Sequence, residues 1–296
     1  MENNIKVLFG IDMETDIGSF TPYYNGVNDG TPLLLDLFKK EDVKATFYFT
    51  GDTVKACPDI AKAVSASGNE VGCHSLYHET VGDELFPVPG MKPLLPEEVP
   101  LRLKKATEWV EEACGVRPVS FRCPRLWCST VVINTLEELG YITDASYPMF
   151  FYRKQFAPYY PSRDNWLEKG GSKLLEIPNF ADMLMESNDP ELGRDRDQWP
   201  MLRALGASGF MVHINNFLSF VREKNLPQVL CFYLHPWEFV PMPKQFHVGE
   251  GTSIPDPFIV ENCGEPAVGS LQELIGRLRD IGAEFHTAAE LAEFDW

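Results

Sequence analysis

Short apolar runs of strand length alternate with helical patterns along most of the chain, and this alternation constrains the fold most strongly. The predicted strands span residues 6–12, 44–50, 70–73, 119–122, 141–144, 174–177, 229–235 and 284–287. The predicted helices span residues 31–40, 58–67, 96–114, 130–139, 271–280 and 288–294. Such an alternation is typical of an α/β fold with a mainly parallel sheet.

Roughly eight strands in a chain of 296 residues fit one closed or nearly closed β/α barrel domain, residues 1–296. An open doubly wound sheet is the alternative, although its usual G-x-G-x-x-G turn is missing. Residues 148–225 are long and rich in aromatic side chains, so we interpret them as an insertion in the barrel. This insertion is either a lid over a binding site or a segment that only packs against the barrel.

Composition excludes several classes of protein. The net charge of −17 repels phosphate backbones and anionic lipid, which argues against nucleic-acid and membrane partners. The sequence contains no run of about 18 apolar residues, so we expect no membrane span. The N-terminus lacks a signal-peptide pattern, so we expect a cytoplasmic protein. The seven cysteines are irregularly spaced and are expected to be reduced, and Cys123 and Cys128 do not match a zinc knuckle.

Five ionisable residues close five separate apolar runs on their carboxyl side: Asp12, His74, Arg122, Asp144 and His235. In parallel α/β folds the carboxyl ends of the strands meet at one edge, where active sites are built. We therefore expect these side chains to lie around one site.

His74 and His78 are four residues apart, a spacing that places both imidazoles on one face of a helical turn, able to bind one cation. Asp12 and Glu14 are two apart at a strand end and share a face, while Met13 points away. Neighbouring carboxylates are costly unless a cation lies between them or one stays protonated. With a metal, one carboxylate binds the ion and the other accepts a proton from bound water.

The motifs resemble those of the polysaccharide deacetylase (NodB-homology) family, including its cytoplasmic and cyclic-amide-hydrolysing branch. They occur in the family's order over about residues 5 to 240. The motifs that carry the resemblance are Asp12-Met13-Glu14, His74-Ser75-Leu76-Tyr77-His78, Arg122-Cys123-Pro124-Arg125, Asp144-Ala145-Ser146-Tyr147-Pro148 and Leu234-His235-Pro236-Trp237-Glu238.

This resemblance implies a distorted barrel and a divalent metal held by one carboxylate and two histidines. It assigns the metal to Glu14, His74 and His78, and it makes Asp12 the general base, oriented by Arg122. It makes His235 the general acid that protonates the departing amine, held and tuned by Asp144. The family's usual pair of adjacent aspartates is interrupted here by Met13, which leaves Asp16 as an alternative third ligand.

The predicted activity is metal-dependent hydrolysis of an amide bond, with N-deacetylation of an acetylated amino sugar or saccharide as the first expectation. Zinc is the expected metal, and the same ligands also suit iron, cobalt or nickel. One alternative is a hydrolase of a small non-sugar amide such as a cyclic imide or ureide. Another is a binding protein on a barrel with degraded chemistry. The sequence leaves homo-oligomerisation open.

Overall fold

A computed structural model describes residues 4–18, 20–88, 90–189 and 191–296. The strands are β1 (Ile5–Met13), β2 (Thr46–Phe49), β3 (Glu70–Cys73), β4 (Ser120–Phe121), β5 (Thr143–Asp144), β6 (Leu175–Glu176), β7 (Val229–Leu234), β8 (Phe246–Val248), β9 (Gly251–Ser253) and β10 (Ala283–Phe285). The helices are α1 (Thr31–Lys40), α2 (Gly51–Ala56), α3 (Pro58–Ala66), α4 (Val99–Cys114), α5 (Thr130–Glu138), α6 (Met149–Tyr152), α7 (Met201–Glu223), α8 (Pro257–Val260), α9 (Glu265–Asp280) and α10 (Ala288–Leu291).

A curled sheet of eight parallel strands forms the centre of the fold. Its order is β7-β1-β2-β3-β4-β5-β6, and β10 pairs with the first residues of β1. β1 is central and almost entirely buried, as expected for a strand covered on both faces. The predicted barrel of about seven to eight parallel strands is confirmed.

The gap between β6 and β7 is bridged by few hydrogen bonds, which is why the barrel is distorted. The backbone N–H of Phe180 donates to the carbonyl of Cys231 at 3.2 Å. The buried side chain of Gln198 donates to the same carbonyl at 2.7 Å and accepts from the backbone N–H of Tyr233 at 3.2 Å. A side chain therefore takes the place of a continuous strand ladder here.

Residues 148–225 contain parts of the barrel as well as loops. β6 pairs in parallel with β5, and the α7 residues Phe210 and Phe217 pack their rings against Phe180 with centroids 5.8 and 5.5 Å away. By length and composition α7 is apolar enough to cross a membrane, although its buried face contacts the barrel. The proposed lid role of the remaining loops stays a prediction.

The antiparallel hairpin β8–β9 stands apart from the barrel sheet. It follows β7 and precedes α8, so it belongs to the connection that leaves the barrel at the end carrying the candidate site. The sequence pattern did not predict this hairpin, because its strands are only three residues long and mostly exposed.

Candidate functional site

The strand ends bring most of the predicted site residues to one edge of the barrel. Asp12 lies near the end of β1, and Glu14 follows that strand directly. His74 follows β3, and Arg122 follows β4. His235 follows β7. Parallel strands end at the same edge, so residues far apart in sequence become neighbours here.

Glu14, His74 and His78, hereafter the histidine–glutamate group, place their ligand atoms within 4.8 Å of one another. Oε2 of Glu14 lies 3.6 Å from Nε2 of His74 and contacts Nε2 of His78. Nδ1 of His74 lies 2.7 Å from the carbonyl of Arg122, which fixes the proton on Nδ1. The Nε2 lone pair of His74 therefore faces the Glu14 carboxylate.

The segment that carries the two histidines is not helical, so the predicted helical turn is wrong. Ser75 and His78 adopt left-handed backbone angles, with φ of 70° and 55°, and the chain bends sharply between the rings. Oε2 of Glu79 accepts hydrogen bonds from the Ser75 hydroxyl at 3.1 Å and the Tyr77 N–H at 2.6 Å. Glu79 thereby holds the bend, and the two imidazole centroids lie 5.1 Å apart.

Electrostatics favour the forms of these residues that bind a cation. Burial alone raises the pKa of Glu14, but the neighbouring His78, His74 and His235 lower it well below its ordinary value. Burial lowers the pKa of His78, and the neighbouring His74 and Arg125 lower it further, against the opposing effect of Glu14. An ionised carboxylate and a neutral imidazole result, which are the ligand forms that metals require.

Asp16, the alternative third ligand, directs its carboxylate to backbone N–H groups instead. Its carboxylate accepts hydrogen bonds from the backbone N–H groups of Asn25, at 3.2 Å, and Gly26, at 2.8 Å. Asp16 therefore braces the turn before α1, and Glu14 is the carboxylate that lies with the histidines.

Arg122 crosses the barrel interior to reach Asp12. Its side chain is fully buried, and Nη1 donates to Oδ1 of Asp12 at 2.8 Å. Nε donates to the carbonyl of Ala145 at 3.0 Å, and the guanidinium lies 4.5 Å from the ring centroid of Tyr48. Gly10 makes room for this crossing, since a Cβ there would lie 2.2 Å from Nη1 of Arg122.

His235 is held by Glu238 rather than by Asp144, which corrects the predicted pairing. Oε1 of Glu238 accepts from the backbone N–H of His235 and pairs with its Nδ1, both at 2.9 Å. Oε2 of Glu238 accepts from Nε of the buried Arg203 at 2.6 Å. Asp144 instead accepts from the Ser146 hydroxyl at 2.7 Å and from the Cys128 thiol, under the barrel rim.

The environment of His235 favours its protonated form. Burial opposes the charge, but the hydrogen bond that His235 donates to Glu238 and the charges of Glu14, Glu238 and Asp12 outweigh it and raise the pKa of His235 to about 9. Nε2 lies 3.8 Å from Oε1 of Glu14, on the side of the histidine–glutamate group. The imidazole stacks on Trp237 with centroids 5.2 Å apart, so its ring plane is fixed.

A cavity of about 350 Å³ opens above these residues. Asp12, Glu14, His74, His78 and His235 line its floor. Its walls are largely aromatic and come from several separate segments of the chain: Phe20, Phe86, Phe150, Trp199, Trp237 and Phe258. The charged side chains of Arg125, Arg194 and Asp197 also line it. The space suits a small molecule or one end of a longer one.

Glu238 and Arg203 are site residues that the sequence analysis missed. Glu238 stands three residues after His235, and the run His235-Pro236-Trp237-Glu238 has the spacing of a capping box around a short turn. That spacing was a usable signal. Arg203 reaches the site from α7, and no local pattern identifies its contact.

Comparison with known proteins gives a family and a fold. Residues 16–143 match the family model described as polysaccharide deacetylase, a span that includes His74, His78 and Arg122. The chain is 25% identical over 243 residues to a peptidoglycan deacetylase from Helicobacter pylori, covering 77% of each chain. It is 30% identical over 126 residues to the peptidoglycan-N-acetylmuramic acid deacetylase PdaA from Bacillus subtilis, covering 42% of this chain and 44% of the relative.

A solved structure from Mycobacterium smegmatis, described as a candidate polysaccharide deacetylase, superposes with a TM-score of 0.64. The two chains are 16% identical, and the match covers 99% of this chain and 90% of that one. This likeness concerns the fold alone. The chain spans less than half of the length of two curated relatives, namely 44% of PdaA and 43% of a protein from Geobacillus stearothermophilus.

Proposed function

Because residues 16–143 belong to the polysaccharide deacetylase family, we propose that the chain is a metal-dependent amide hydrolase that deacetylates an acetylated amino sugar. The observation that carries the proposal is the histidine–glutamate group on the floor of the cavity, with Asp12 and His235 beside it. The relatives whose names state an activity are peptidoglycan and chitin deacetylases, which supports a sugar amide as substrate.

The histidine–glutamate group fits a divalent cation. The Nε2 lone pair of His74 and the Glu14 carboxylate face each other at 3.6 Å, and two acceptors in that position are satisfied by a shared proton or by a cation between them. Two imidazoles and one carboxylate form a set that suits zinc, with room for water or substrate. When bound, such an ion polarises a carbonyl and lowers the pKa of water toward ~7.

Asp12 is the proposed general base. Its Oδ1 accepts from Arg122, and the buried guanidinium keeps the carboxylate oriented toward the cavity floor. Because Arg122 is also anchored on the carbonyl of Ala145, the base is held by a rigid barrel side chain rather than by a loop. A positioned base of this kind contributes roughly 10²–10⁴-fold to the rate.

His235 is the proposed general acid. An amine leaves an amide only when its nitrogen is protonated, and His235 is the cavity-lining imidazole with a pKa raised to about 9. Glu238 holds Nδ1, so Nε2 carries the proton that faces the site. The aromatic walls around it give an apolar lining for an acetyl methyl group and a sugar ring.

The test is acetate release from N-acetylglucosamine oligomers by the purified full chain, measured together with its metal content. His74→Ala and His78→Ala are expected to lose the ion of the histidine–glutamate group and to abolish turnover. His247→Ala, a change to an exposed histidine on β8, is the matched control and leaves both unchanged. Normal metal content in either site variant contradicts the ligand assignment.

Asp12→Asn separates the base from the metal ligands. It is expected to retain metal, because the ligand atoms of the histidine–glutamate group are unchanged, and to lose roughly 10²–10⁴-fold in rate. Full activity in this variant means that another group is the base. A panel that adds cyclic imides and ureides to the N-acetyl sugars identifies the substrate class, and turnover of the cyclic amides alone contradicts the sugar assignment.

A further inference from the structure

A second cluster of metal-ligating atoms lies under the barrel rim and takes no part in the proposed reaction. Cys123 follows β4, Cys128 precedes α5, and Asp144 ends β5. The two sulfur atoms and the carboxylate lie within 4.8 Å of one another, and all three side chains are fully buried. Cys128 Sγ lies 3.7 Å from Oδ2 of Asp144.

Glu176, at the end of β6, adds a fourth acidic group to this cluster. Its Oε1 accepts from the backbone N–H groups of Ser146 at 3.0 Å and Tyr147 at 2.8 Å. Its Oε2 is buried and accepts no hydrogen bond from an N–H or O–H group of the residues that the structure describes. The Glu176 and Asp144 carboxyls lie within hydrogen-bonding reach of each other, and Glu176 also lies near both thiols, so it belongs to the cluster.

Four acidic groups in one buried volume oppose each other's ionisation. Burial first, and then the neighbouring acidic groups, raise the pKa of Cys128 and Glu176. Burial also raises the pKa of Cys123, against the opposing hydrogen bond with Cys128. Burial likewise raises the pKa of Asp144. The nearby Arg122 guanidinium is committed to Asp12. The cluster must therefore hold either bound protons or a cation. A bound divalent ion makes ionisation of the thiols and carboxyls favourable.

We propose that Cys123, Cys128, Asp144 and Glu176 form a second metal site, separate from the histidine–glutamate group, for a soft divalent cation of the zinc class. Thiolates select such ions over magnesium or calcium. Zinc bonds of about 2.3 Å to sulfur and about 2.0 Å to oxygen place tetrahedral ligand atoms roughly 3.5 Å apart. The observed separation of 3.7 Å between Cys128 and Asp144 lies close to that value.

The ligands come from three segments, namely the loop between β4 and α5 and the ends of β5 and β6, which explains why the sequence spacing did not resemble a zinc knuckle. An ion held by them ties together the ends of β4, β5 and β6, three strands of two residues each. Arg122 lies between β4 and Cys123, so the same ion steadies the residue that orients Asp12. The site is structural, and its existence does not depend on the proposed activity.

The first test uses the unmodified full chain, reconstituted with Zn²⁺ and then with Co²⁺ or Cd²⁺. Two ions per chain and a thiolate-to-metal charge-transfer absorption band are expected. His78→Ala is expected to lose one ion and keep the thiolate band, since its damage is confined to the histidine–glutamate group. A chain that binds one ion and gives no thiolate band overturns the proposal, whether or not it hydrolyses a substrate.

The second test removes the ligands of the new site. The double variant Cys123→Ser/Cys128→Ser is expected to lose the thiolate band and one ion while keeping the other, and Cys57→Ser and Cys263→Ser are the matched controls. Thiol titration of the unfolded, chelator-treated chain is expected to find all seven cysteines free. Two missing thiols that return on reduction indicate a Cys123–Cys128 disulfide, which overturns the proposal. If the double variant does not fold, the result with the unmodified chain and His78→Ala decides.

Discussion

Asp12 and Glu14 stand two residues apart at the end of β1 and have different partners. Asp12 is paired with a permanently charged arginine, whereas Glu14 is surrounded by three imidazoles. Neutral imidazoles and a carboxylate share a metal readily, and an arginine orients a carboxylate without taking its outer lone pairs. These different surroundings fit the proposed division of the two carboxylates into a base and a ligand.

Glu238 controls the pKa of His235, and this gives a prediction at the residue scale. Glu238→Gln keeps the shape but removes a negative charge, so the pKa of His235 falls from about 9 toward its ordinary value of 6.5. Activity that requires protonated His235 then declines at lower pH. We expect the alkaline limb of the pH–rate profile to move down by about one unit or more. With the pKa of His235 near 6.5, the rate should fall only a few-fold at pH 7 but by up to about 30-fold at pH 8, with little change in KM.

Asp144→Asn is the matched control for that prediction. Asp144 hydrogen-bonds to Ser146 and Cys128 and does not contact His235, so its neutralisation should leave the alkaline limb in place. A shift of the limb in Asp144→Asn, with none in Glu238→Gln, would support the pairing first expected from the sequence and contradict the observed one.

The positions of site residues could largely be predicted from the sequence, whereas their partners could not. A polar residue after an apolar strand is a local signal, and it located Asp12, His74, Arg122 and His235 at the correct edge. Partner choice depends on side-chain reach across the barrel. Asp144 ends a strand as predicted, yet its carboxylate turns toward Ser146, and Glu238 takes its expected place because a short turn follows His235.

Several long elements were predictable because their hydrophobic periodicity is long enough to read, whereas the longest helix, α7, was not predicted and fell within the interpreted insertion. β1, α1, α4 and α9 lie where the sequence pattern put them. The bend between His74 and His78 was misread, since a spacing of four fits a helical turn as well as a loop. Ser75 and His78 adopt left-handed backbone angles, and neither is glycine, the residue type that most readily adopts them.

The packing of β1 against Arg122 gives a prediction at the element scale. In Gly10→Ala the new Cβ meets the guanidinium at 2.2 Å, and Arg122 cannot retreat because four groups hold it. We expect the free energy of unfolding in urea to fall by about 1–3 kcal/mol or more. The ion pair with Asp12 should be displaced as well, so turnover should decrease.

Gly276→Ala in α9 is the control for this packing effect. Its added Cβ meets nothing within 4 Å, and alanine favours a helix interior, so the free energy of unfolding should rise by about 0.5–1 kcal/mol. Equal destabilisation by the two substitutions would mean that the close approach of Arg122 to Gly10 does not limit the packing of β1.

For the whole molecule, an excess of carboxylates makes stability depend on pH, and the sign differs from one carboxyl to another. The chain has 43 acidic residues against 26 lysines and arginines. Carboxylates that accept hydrogen bonds at the surface stabilise the fold in their ionised form. Asp197, which is buried in the cavity wall, does the opposite, because the folded protein favours its protonated form. The net charge alone therefore does not predict the pH of maximum stability.

Asp197 is the clearest case of a carboxyl that the fold prefers protonated. Burial, only partly offset by the hydrogen bond from Tyr233, raises the pKa of Asp197 from 3.8 to about 7. The native state thus binds this proton more tightly than the unfolded state, and the stabilisation is lost as pH rises from about 4 to 7. Relative to Asp197→Asn, the wild-type free energy of unfolding should fall by roughly 3–5 kcal/mol over that range and stay level above it.

Asp195→Asn supplies a control of opposite sign two residues away. Although partial burial opposes ionisation, hydrogen bonds from the Ser187 hydroxyl and the Asn188 N–H lower the pKa of Asp195. Its stabilisation is therefore present above about pH 4 and is lost as pH falls below that value. Urea unfolding of wild type, Asp197→Asn and Asp195→Asn from pH 3 to pH 9 should separate the pH ranges over which the two carboxyls affect stability. The free energies of unfolding of Asp197→Asn and wild type could instead differ by the same amount at pH 4 and pH 8. Asp197 would then be ionised in the native state throughout, and the cavity wall would tolerate a buried charge.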